Sequence, residues 1–256
     1  MKRILSVIAV VVTAVSSSAS FAADIGVVFL HGKWAPGNMS SPVYDEIKRA
    51  GFLLETPEMP WSQSRAYDRD TSAAMAEVDA AVAKLKSRGA QRIVVGGQSM
   101  GANFAIAYAS RRDGISGVLA IAPGHVPELK GFQESLKGDV ERAKALIADG
   151  KGDARGRFND SNQGKDMQMP STASIYLSWF DPMGLMVMPR NASRLKSETA
   201  LLWLVGEQDG MAQRGEGYAF NRAPANPKSA YKLVSGGHHD AGAKAAREIV
   251  FWLKNL

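Results

Sequence analysis

The sequence predicts an α/β protein built around a doubly wound, mostly parallel sheet of about six strands. Two observations support this fold class. Short runs of Ile, Val and Leu without polar interruption are typical of strands that are buried on both faces. Helical segments alternate with these runs, which favours parallel pairing with helices on both faces of the sheet. The chain has 256 residues, enough for one domain with a sizeable core.

The apolar runs and the helical spacings place the individual elements. Strands are expected at 25–30, 52–57, 92–96, 117–122, 200–205 and 231–234. Helices are expected to begin near residues 42, 72, 102, 140 and 243. Ser41 is a good N-cap for the first helix, Pro42 fits its first turn, and Gly51 ends it.

The segment 126–172 interrupts this alternation. It holds a charged helix at about 140–148 and then a stretch rich in Gly, Asp and Asn. A simple crossover between strands is shorter than this segment. Because ligands bind at the carboxyl ends of parallel strands, we expect the segment to form a small helical cap insertion over the site, with an irregular surface excursion as the alternative.

The first 22 residues have the three regions of a secretory signal peptide. Lys2-Arg3 precede an apolar run at 4–15, and small residues follow as far as Ala23. We expect cleavage after Ala22 or Ala23 and a mature single domain, 23–256, that is periplasmic or secreted. The apolar run is short for a transmembrane helix, so no stable membrane insertion is expected after cleavage, and an uncleaved anchor is the alternative.

Composition excludes several classes of function. The chain has no cysteine, which rules out disulfides, thiolate metal sites and a cysteine nucleophile. Its formal charge of +6 falls by two to +4 when Lys2 and Arg3 leave with the signal. The charges are spread along the chain, so no nucleic-acid partner is expected. No ligand cluster has zinc or calcium spacing, so neither a metal nor an organic cofactor is expected.

The candidate nucleophile is Ser99. It stands in Gly97-Gln98-Ser99-Met100-Gly101, a G-x-S-x-G turn between a buried strand and an Ala-rich helix. A serine in this context occupies a sharp, strained bend at the carboxyl end of the sheet, and the glycines prevent collisions there. The pentamer can arise by chance in a Gly-rich chain, but its strand–turn–helix context and the later Asp and His signals are independent of it.

A serine hydroxyl needs a base, and the chain offers four histidines. His31 and His125 each follow a strand, and a role in loop geometry is expected for both. The pair His238-His239 follows the last strand, where a base on a loop can reach Ser99. Adjacent side chains point in different directions, so only one of the pair can act. We predict His238, with His239 as the alternative.

The carboxylate that orients this histidine is predicted to be Asp209. It lies in the loop after the fifth strand and gives the chain order Ser, Asp, His. Glu207 and Asp240 are the competing carboxylates.

Acyl transfer also needs two N–H groups aimed at the developing oxyanion. Met100 is expected to supply one, because it follows the nucleophile at the start of a helix. The loop after the first strand is expected to supply the other from the backbone of Lys33, with Trp34 as the alternative.

Together these residues resemble the α/β-hydrolase family. The resemblance rests on His31-Gly32 after the first strand, the Ser99 turn, Gly206-Glu207-Gln208-Asp209 and the terminal histidine loop, in the family's order. It covers nearly the whole mature chain. It implies a reduced α/β-hydrolase fold, because the first two strands of the full family sheet are missing, and a Ser-His-Asp hydrolase acting on an ester.

The leading hypothesis is an exported serine hydrolase that cleaves a small-molecule carboxylic ester through an acyl-enzyme. The alternatives are an amidase or thioesterase with the same triad, a peroxidase-type relative, and a non-catalytic binding protein on the same fold. A haloalkane-type reaction would need an aspartate where Ser99 stands, so the sequence excludes it.

Overall fold

The computed structural model describes residues 24–36 and 40–256. The predicted signal peptide, residues 1–22, lies outside the described residues. Within the described ranges, no helix is both long enough and apolar enough to cross a membrane.

Strands and helices alternate along the described chain. The strands are β1 (Ile25–Leu30), β2 (Leu53–Glu55), β3 (Arg92–Gln98), β4 (Ile115–Ile121), β5 (Arg155–Asn162), β6 (Lys165–Thr172), β7 (Ala200–Gly206) and β8 (Ala230–Val234). The helices are α1 (Pro42–Arg49), α2 (Thr71–Ser87), α3 (Met100–Ala109), α4 (Lys130–Ala148), α5 (Ala173–Phe180), α6 (Met188–Ala192), α7 (Ala241–Lys244) and α8 (Ala246–Lys254). As predicted, Ser41 caps α1: its Oγ accepts a hydrogen bond from the Val43 N–H at 3.3 Å.

In the described chain, six strands form one sheet in the order β2-β1-β3-β4-β7-β8, and every neighbouring pair is parallel. All residues of β1 and β7 are buried, as expected for strands covered on both faces. Side chains of α2 and α3 pack on one face of the sheet, and those of α1 and α8 pack on the other. The predicted doubly wound sheet is therefore confirmed.

The insertion at 126–172 contains more than the predicted helix. Its helix, α4, begins at Lys130 rather than near residue 140, and an antiparallel hairpin of β5 and β6 follows it. The hairpin turns at Gln163-Gly164, where both φ angles are positive, 52° and 77°, as in a type I′ turn. Phe158 and Met169 are its buried apolar side chains. With one buried apolar residue on each strand, the hairpin has no apolar alternation that the sequence could reveal.

Candidate active site

Ser99 lies on the bend between β3 and α3. Its φ of 55° and ψ of −120° are strained for a residue that carries a side chain. The Ser99 N–H donates to the Ile121 carbonyl at 2.9 Å, and the Ser99 carbonyl accepts from the Ala102 and Gly124 N–H groups at 3.1 and 3.0 Å. Hydrogen bonds to β4, α3 and the loop after β4 thus hold the bend at the carboxyl end of the sheet.

The bend is possible because Gly101 allows a close approach between α3 and β1. A Cβ on Gly101 would collide with the Leu30 carbonyl oxygen and would lie 2.6 Å from that of His31. Only glycine fits at this position without displacing the backbone of β1. The loop after β1 is thereby held beside Ser99.

His238 and Asp209 form a hydrogen-bonded pair next to this bend. The distance between His238 Nδ1 and Asp209 Oδ2 is 2.7 Å, and Asp209 Oδ1 accepts from the Met211 N–H at 2.8 Å. Burial raises the pKa of Asp209, but the hydrogen bonds from His238 and Met211 and the charges of both histidines in the loop together lower it below its ordinary value. An ionised carboxylate only accepts, so the neutral His238 ring carries its one proton on Nδ1 and leaves Nε2 as an acceptor.

Ser99 and His238 face the same space. A Cβ on Gly124 would lie 2.9 Å from Ser99 Oγ and 3.7 Å from His238 Cε1. No hydrogen bond joins Ser99 Oγ to His238 among the described residues. Such contacts are often long without substrate and shorten in the complex.

His239 makes different contacts. Its Nε2 lies 3.3 Å from Gln163 Nε2 at the tip of the hairpin. The backbone of His238 is also bonded: Gln98, which precedes the candidate nucleophile, donates from Nε2 to the backbone carbonyl of His238 at 3.1 Å. Of the two adjacent histidines, His238 is therefore the one that bonds to a carboxylate.

In the described chain, neither competing carboxylate forms a hydrogen bond or an ion pair with the His238 ring. Glu207 is exposed, and Asp240 Oδ2 accepts from the Gly237 N–H at 3.3 Å. Among the described side chains, Asp209 is the carboxylate that reaches His238.

The two candidate oxyanion donors in the loop after β1 are the backbone N–H groups of Lys33 and Trp34. The Trp34 N–H donates to the Trp61 carbonyl at 2.9 Å, so this group is already used. The N–H groups of Lys33 and Met100 have no acceptor among the described residues. Of the two groups that the sequence offers in this loop, Lys33 is the one that remains available.

His31 and His125 hold loops in place. His31 Nε2 accepts from the Met59 N–H at 2.9 Å, so its Nδ1 donates to the Gly32 carbonyl at 2.8 Å. His125 Nε2 donates to the Trp179 carbonyl at 2.8 Å. Burial lowers the pKa of both histidines, and the nearby Lys33 charge lowers that of His125 further. Both are neutral structural side chains near neutral pH.

Two cavities meet at Ser99. One has a volume of about 540 Å³ and extends toward α4; the other has about 240 Å³ and extends along the loop after β1. Ser99 and His238 line both, and so do Asn162 and Gln163 at the tip of the hairpin. The tip of the hairpin is therefore part of the wall of both cavities. Among the described residues, no group of three or more His, Asp or Glu side chains could hold a metal ion.

Asp160 is not among the site residues that the sequence predicts. It is fully buried on β5, where it accepts hydrogen bonds from the side chains of Lys33, Trp34 and Tyr67. The sequence around Asp160 is polar, and an aspartate in a polar segment is ordinarily solvated. The local sequence therefore does not indicate that this residue is buried. Its partners lie 93 to 127 residues away in sequence.

Residues 61–242 match the model of the family described as serine aminopeptidase, S33. The chain belongs to this family. It is accordingly an α/β-hydrolase and a serine hydrolase. No curated protein matches its sequence.

Solved structures share the fold of this α/β-hydrolase. The monoacylglycerol lipase of Paleococcus ferrophilus has a TM-score of 0.63 and 21% identity, over 90% of this chain and 94% of that one. A thermostable carboxyl esterase from Bacillus coagulans has a TM-score of 0.64 and 15% identity, over 90% and 89%. An esterase from Pyrococcus furiosus has a TM-score of 0.61 and 17% identity, over 92% and 83%. At such low identity, these likenesses show the fold alone.

Proposed function

We propose that this α/β-hydrolase is an exported enzyme that hydrolyses a carboxylic ester through an acyl-enzyme on Ser99. The observation that carries the proposal is the arrangement at the end of the sheet. Ser99 occupies a strained bend, and His238, which is hydrogen-bonded to Asp209, lines the same cleft. A nucleophile, a base and a carboxylate that orients the base are the parts that serine acyl transfer needs.

The tautomer of His238 fits the first step. Because Asp209 holds the proton on Nδ1, Nε2 is the atom that takes the proton of Ser99 Oγ as the hydroxyl attacks the ester carbonyl. The imidazolium that forms is stabilised by the adjacent carboxylate. His238 then gives the proton to the leaving alkoxide, and a water molecule that it deprotonates releases the acid from Ser99.

The oxyanion would be held by two backbone donors, Met100 N–H and Lys33 N–H. Both groups lack acceptors among the described residues and flank Ser99, one at the start of α3 and one in the loop after β1. Each donor of this kind contributes about 10²–10³-fold to kcat in acyl transfer.

An ester is the favoured substrate for two reasons. The structural neighbours named above are an esterase, a carboxyl esterase and a monoacylglycerol lipase. The larger cavity also has apolar wall residues, Val126, Leu129 and Phe132, suited to an acyl group. Amide cleavage is the second candidate, because the matching family is described as serine aminopeptidase.

Matched substrates separate these candidates. Wild type and Ser99→Ala are each incubated with p-nitrophenyl esters of graded chain length and with the corresponding p-nitroanilides and thioesters. We expect ester cleavage that is lost in Ser99→Ala. Preferential anilide or thioester cleavage would reassign the substrate class, and ester cleavage that survives in Ser99→Ala would refute the proposed nucleophile.

Export is tested separately. The intact mass of protein recovered from the periplasm or medium is expected to lack residues 1–22, or 1–23 if cleavage follows Ala23. A full-length chain retained in the cytoplasm would contradict export without affecting the chemistry.

A further inference from the structure

Asp160 ties the hairpin to the loop after β1. Its side chain is inaccessible to solvent, and both of its oxygens are used. Oδ1 accepts from Lys33 Nζ at 2.6 Å, and Oδ2 accepts from Trp34 Nε1 at 2.8 Å and from Tyr67 OH at 3.1 Å. Lys33 Nζ also donates to the Ser161 carbonyl at 3.1 Å. One carboxylate on the insertion therefore binds two consecutive residues of this loop.

This loop is itself strained. Trp34 has a φ of 56°, a conformation that residues with side chains rarely adopt. Lys33, directly before it, carries the N–H proposed to bind the oxyanion. A strained backbone persists only where its surroundings fix it, and the two side-chain contacts to Asp160 are such a restraint.

The same carboxylate also reaches the other side of the proposed oxyanion site. Tyr67 OH, which bonds to Asp160, lies 3.4 Å from Met100 Sδ. The Met100 side chain is fully buried, so Tyr67 packs between Asp160 and the start of α3. Asp160 is thus connected to both residues whose N–H groups would hold the oxyanion.

The ion pair between Lys33 and Asp160 is buried, so neither charge is easily replaced. The Lys33 side chain is 3% exposed, and its ammonium lies 5.5 and 5.7 Å from the ring centroids of Phe132 and Phe180. Among the described residues, Asp160 is its carboxylate partner. A buried ammonium without a partner is unfavourable, so loss of the Asp160 charge would leave Lys33 to move toward water or lose its proton.

We propose that Asp160 is a positioning residue: it fixes the backbone at Lys33 and Trp34 so that the Lys33 N–H points at the oxyanion. It is buried and does not line either cavity at Ser99, so its role is exerted through the loop after β1. The inference rests on the proposed function, since it assigns a role within the same acyl-transfer site. It makes the insertion a part of the catalytic geometry as well as a wall of the cleft.

The test compares Asp160→Asn with Asp149→Asn, an exposed aspartate of the same insertion. Both proteins are assayed with a p-nitrophenyl ester, well below their unfolding midpoints. In Asp160→Asn, kcat is expected to fall about 10- to 100-fold with KM within about twofold, because the lost interaction forms only in the transition state. The inhibition constant of a boronic acid, which mimics the tetrahedral intermediate, is expected to rise by a similar factor. Asp149→Asn is expected to match wild type.

A double variant separates positioning from stability. Lys33→Met with Asp160→Asn removes both buried charges and keeps the side-chain volume, so the unfolding midpoint is expected to recover from that of Asp160→Asn. The kcat is expected to stay low, because the Lys33 side chain is still not bonded to the hairpin, even where the introduced amide oxygen accepts from Trp34 Nε1. Recovery of kcat together with the midpoint would refute the positioning role, and so would an Asp160→Asn variant with wild-type kcat and boronate affinity.

The rate of Ser99 phosphonylation by a fluorophosphonate is measured alongside, because it needs the oxyanion site but no particular substrate. If wild type is labelled but cleaves no ester, the proposed ester function fails. In that case, a labelling rate that is at least about tenfold lower in Asp160→Asn than in wild type still supports the positioning role. An unchanged labelling rate would refute it. A folded wild type that neither labels nor cleaves would overturn both.

Discussion

Replacing Asp209 by asparagine should invert the tautomer of His238. The Asp209 oxygens have separate partners: Oδ1 accepts from the Met211 N–H and Oδ2 accepts from His238 Nδ1. In Asp209→Asn the amide oxygen keeps the Met211 bond, so the amide NH₂ faces His238. Nδ1 must then accept, the ring proton moves to Nε2, and Nε2 can no longer take the Ser99 proton.

The expected loss of kcat follows from the move of the ring proton to Nε2. A wrong tautomer with intact geometry lowers kcat about 10⁴-fold in a serine triad, equivalent to about 5 kcal/mol of transition-state stabilisation. The assay is kcat for a p-nitrophenyl ester in Asp209→Asn, with Glu207→Gln as the matched control on the same loop. An Asp209→Asn variant that retains more than about a tenth of wild-type kcat would show that this carboxylate does not set the state of His238.

The remaining predictions concern the histidines and the bend. His238→Ala is expected to lose ester hydrolysis, whereas His239→Ala keeps most of it, because His239 contacts the hairpin instead of Asp209. His31 and His125 have pKa values below 6.5 in the folded protein, so below about pH 6.5 the unfolded chain binds protons that the folded chain does not. The free energy of unfolding, measured by urea denaturation, is therefore expected to fall with decreasing pH by up to about 1.4 kcal/mol per unit for each histidine. Gly101→Ala is expected to destabilise the protein by about 3 kcal/mol, because its Cβ would collide with two backbone carbonyls.

A specific result would contradict each of these three predictions. Equal losses in the two histidine variants would mean that the loop, rather than one imidazole, is needed. A free energy of unfolding that is flat between about pH 7.5 and 5 would mean that the buried histidines are not held neutral. For the bend, Gly138→Ala in α4 is the control, since its Cβ would meet no atom within 4 Å and should stabilise the helix by about 1 kcal/mol. A Gly101→Ala variant as stable as wild type would show that β1 can move aside.

The sheet could be predicted from the sequence because its signals are local. β1 and β7 are continuous apolar runs, and their burial on both faces is what such runs indicate. The Ser99 turn and the loop holding Asp209 also carry short patterns at the carboxyl ends of strands. The choice between His238 and His239 had no such signal, since it depends on which side chain faces a residue in another loop.

The hairpin and Asp160 could not be predicted for a physical reason. Each strand of the hairpin buries one apolar side chain, Phe158 or Met169, and its turn has Gln163 where type I′ turns favour Asn or Asp. Asp160 is buried because three donors from distant segments converge on it. Local sequence patterns do not predict contacts between such distant segments. From the sequence alone, an isolated aspartate in a polar stretch is expected to be solvated.

The central claim is that Ser99 is an activated nucleophile, and covalent labelling tests it most directly. Purified mature protein and its Ser99→Ala variant are treated with a fluorophosphonate and examined by intact mass spectrometry. We predict one adduct per wild-type chain and none on Ser99→Ala. A folded wild type that takes up no label, or a Ser99→Ala variant that is labelled as well as wild type, would contradict the assignment.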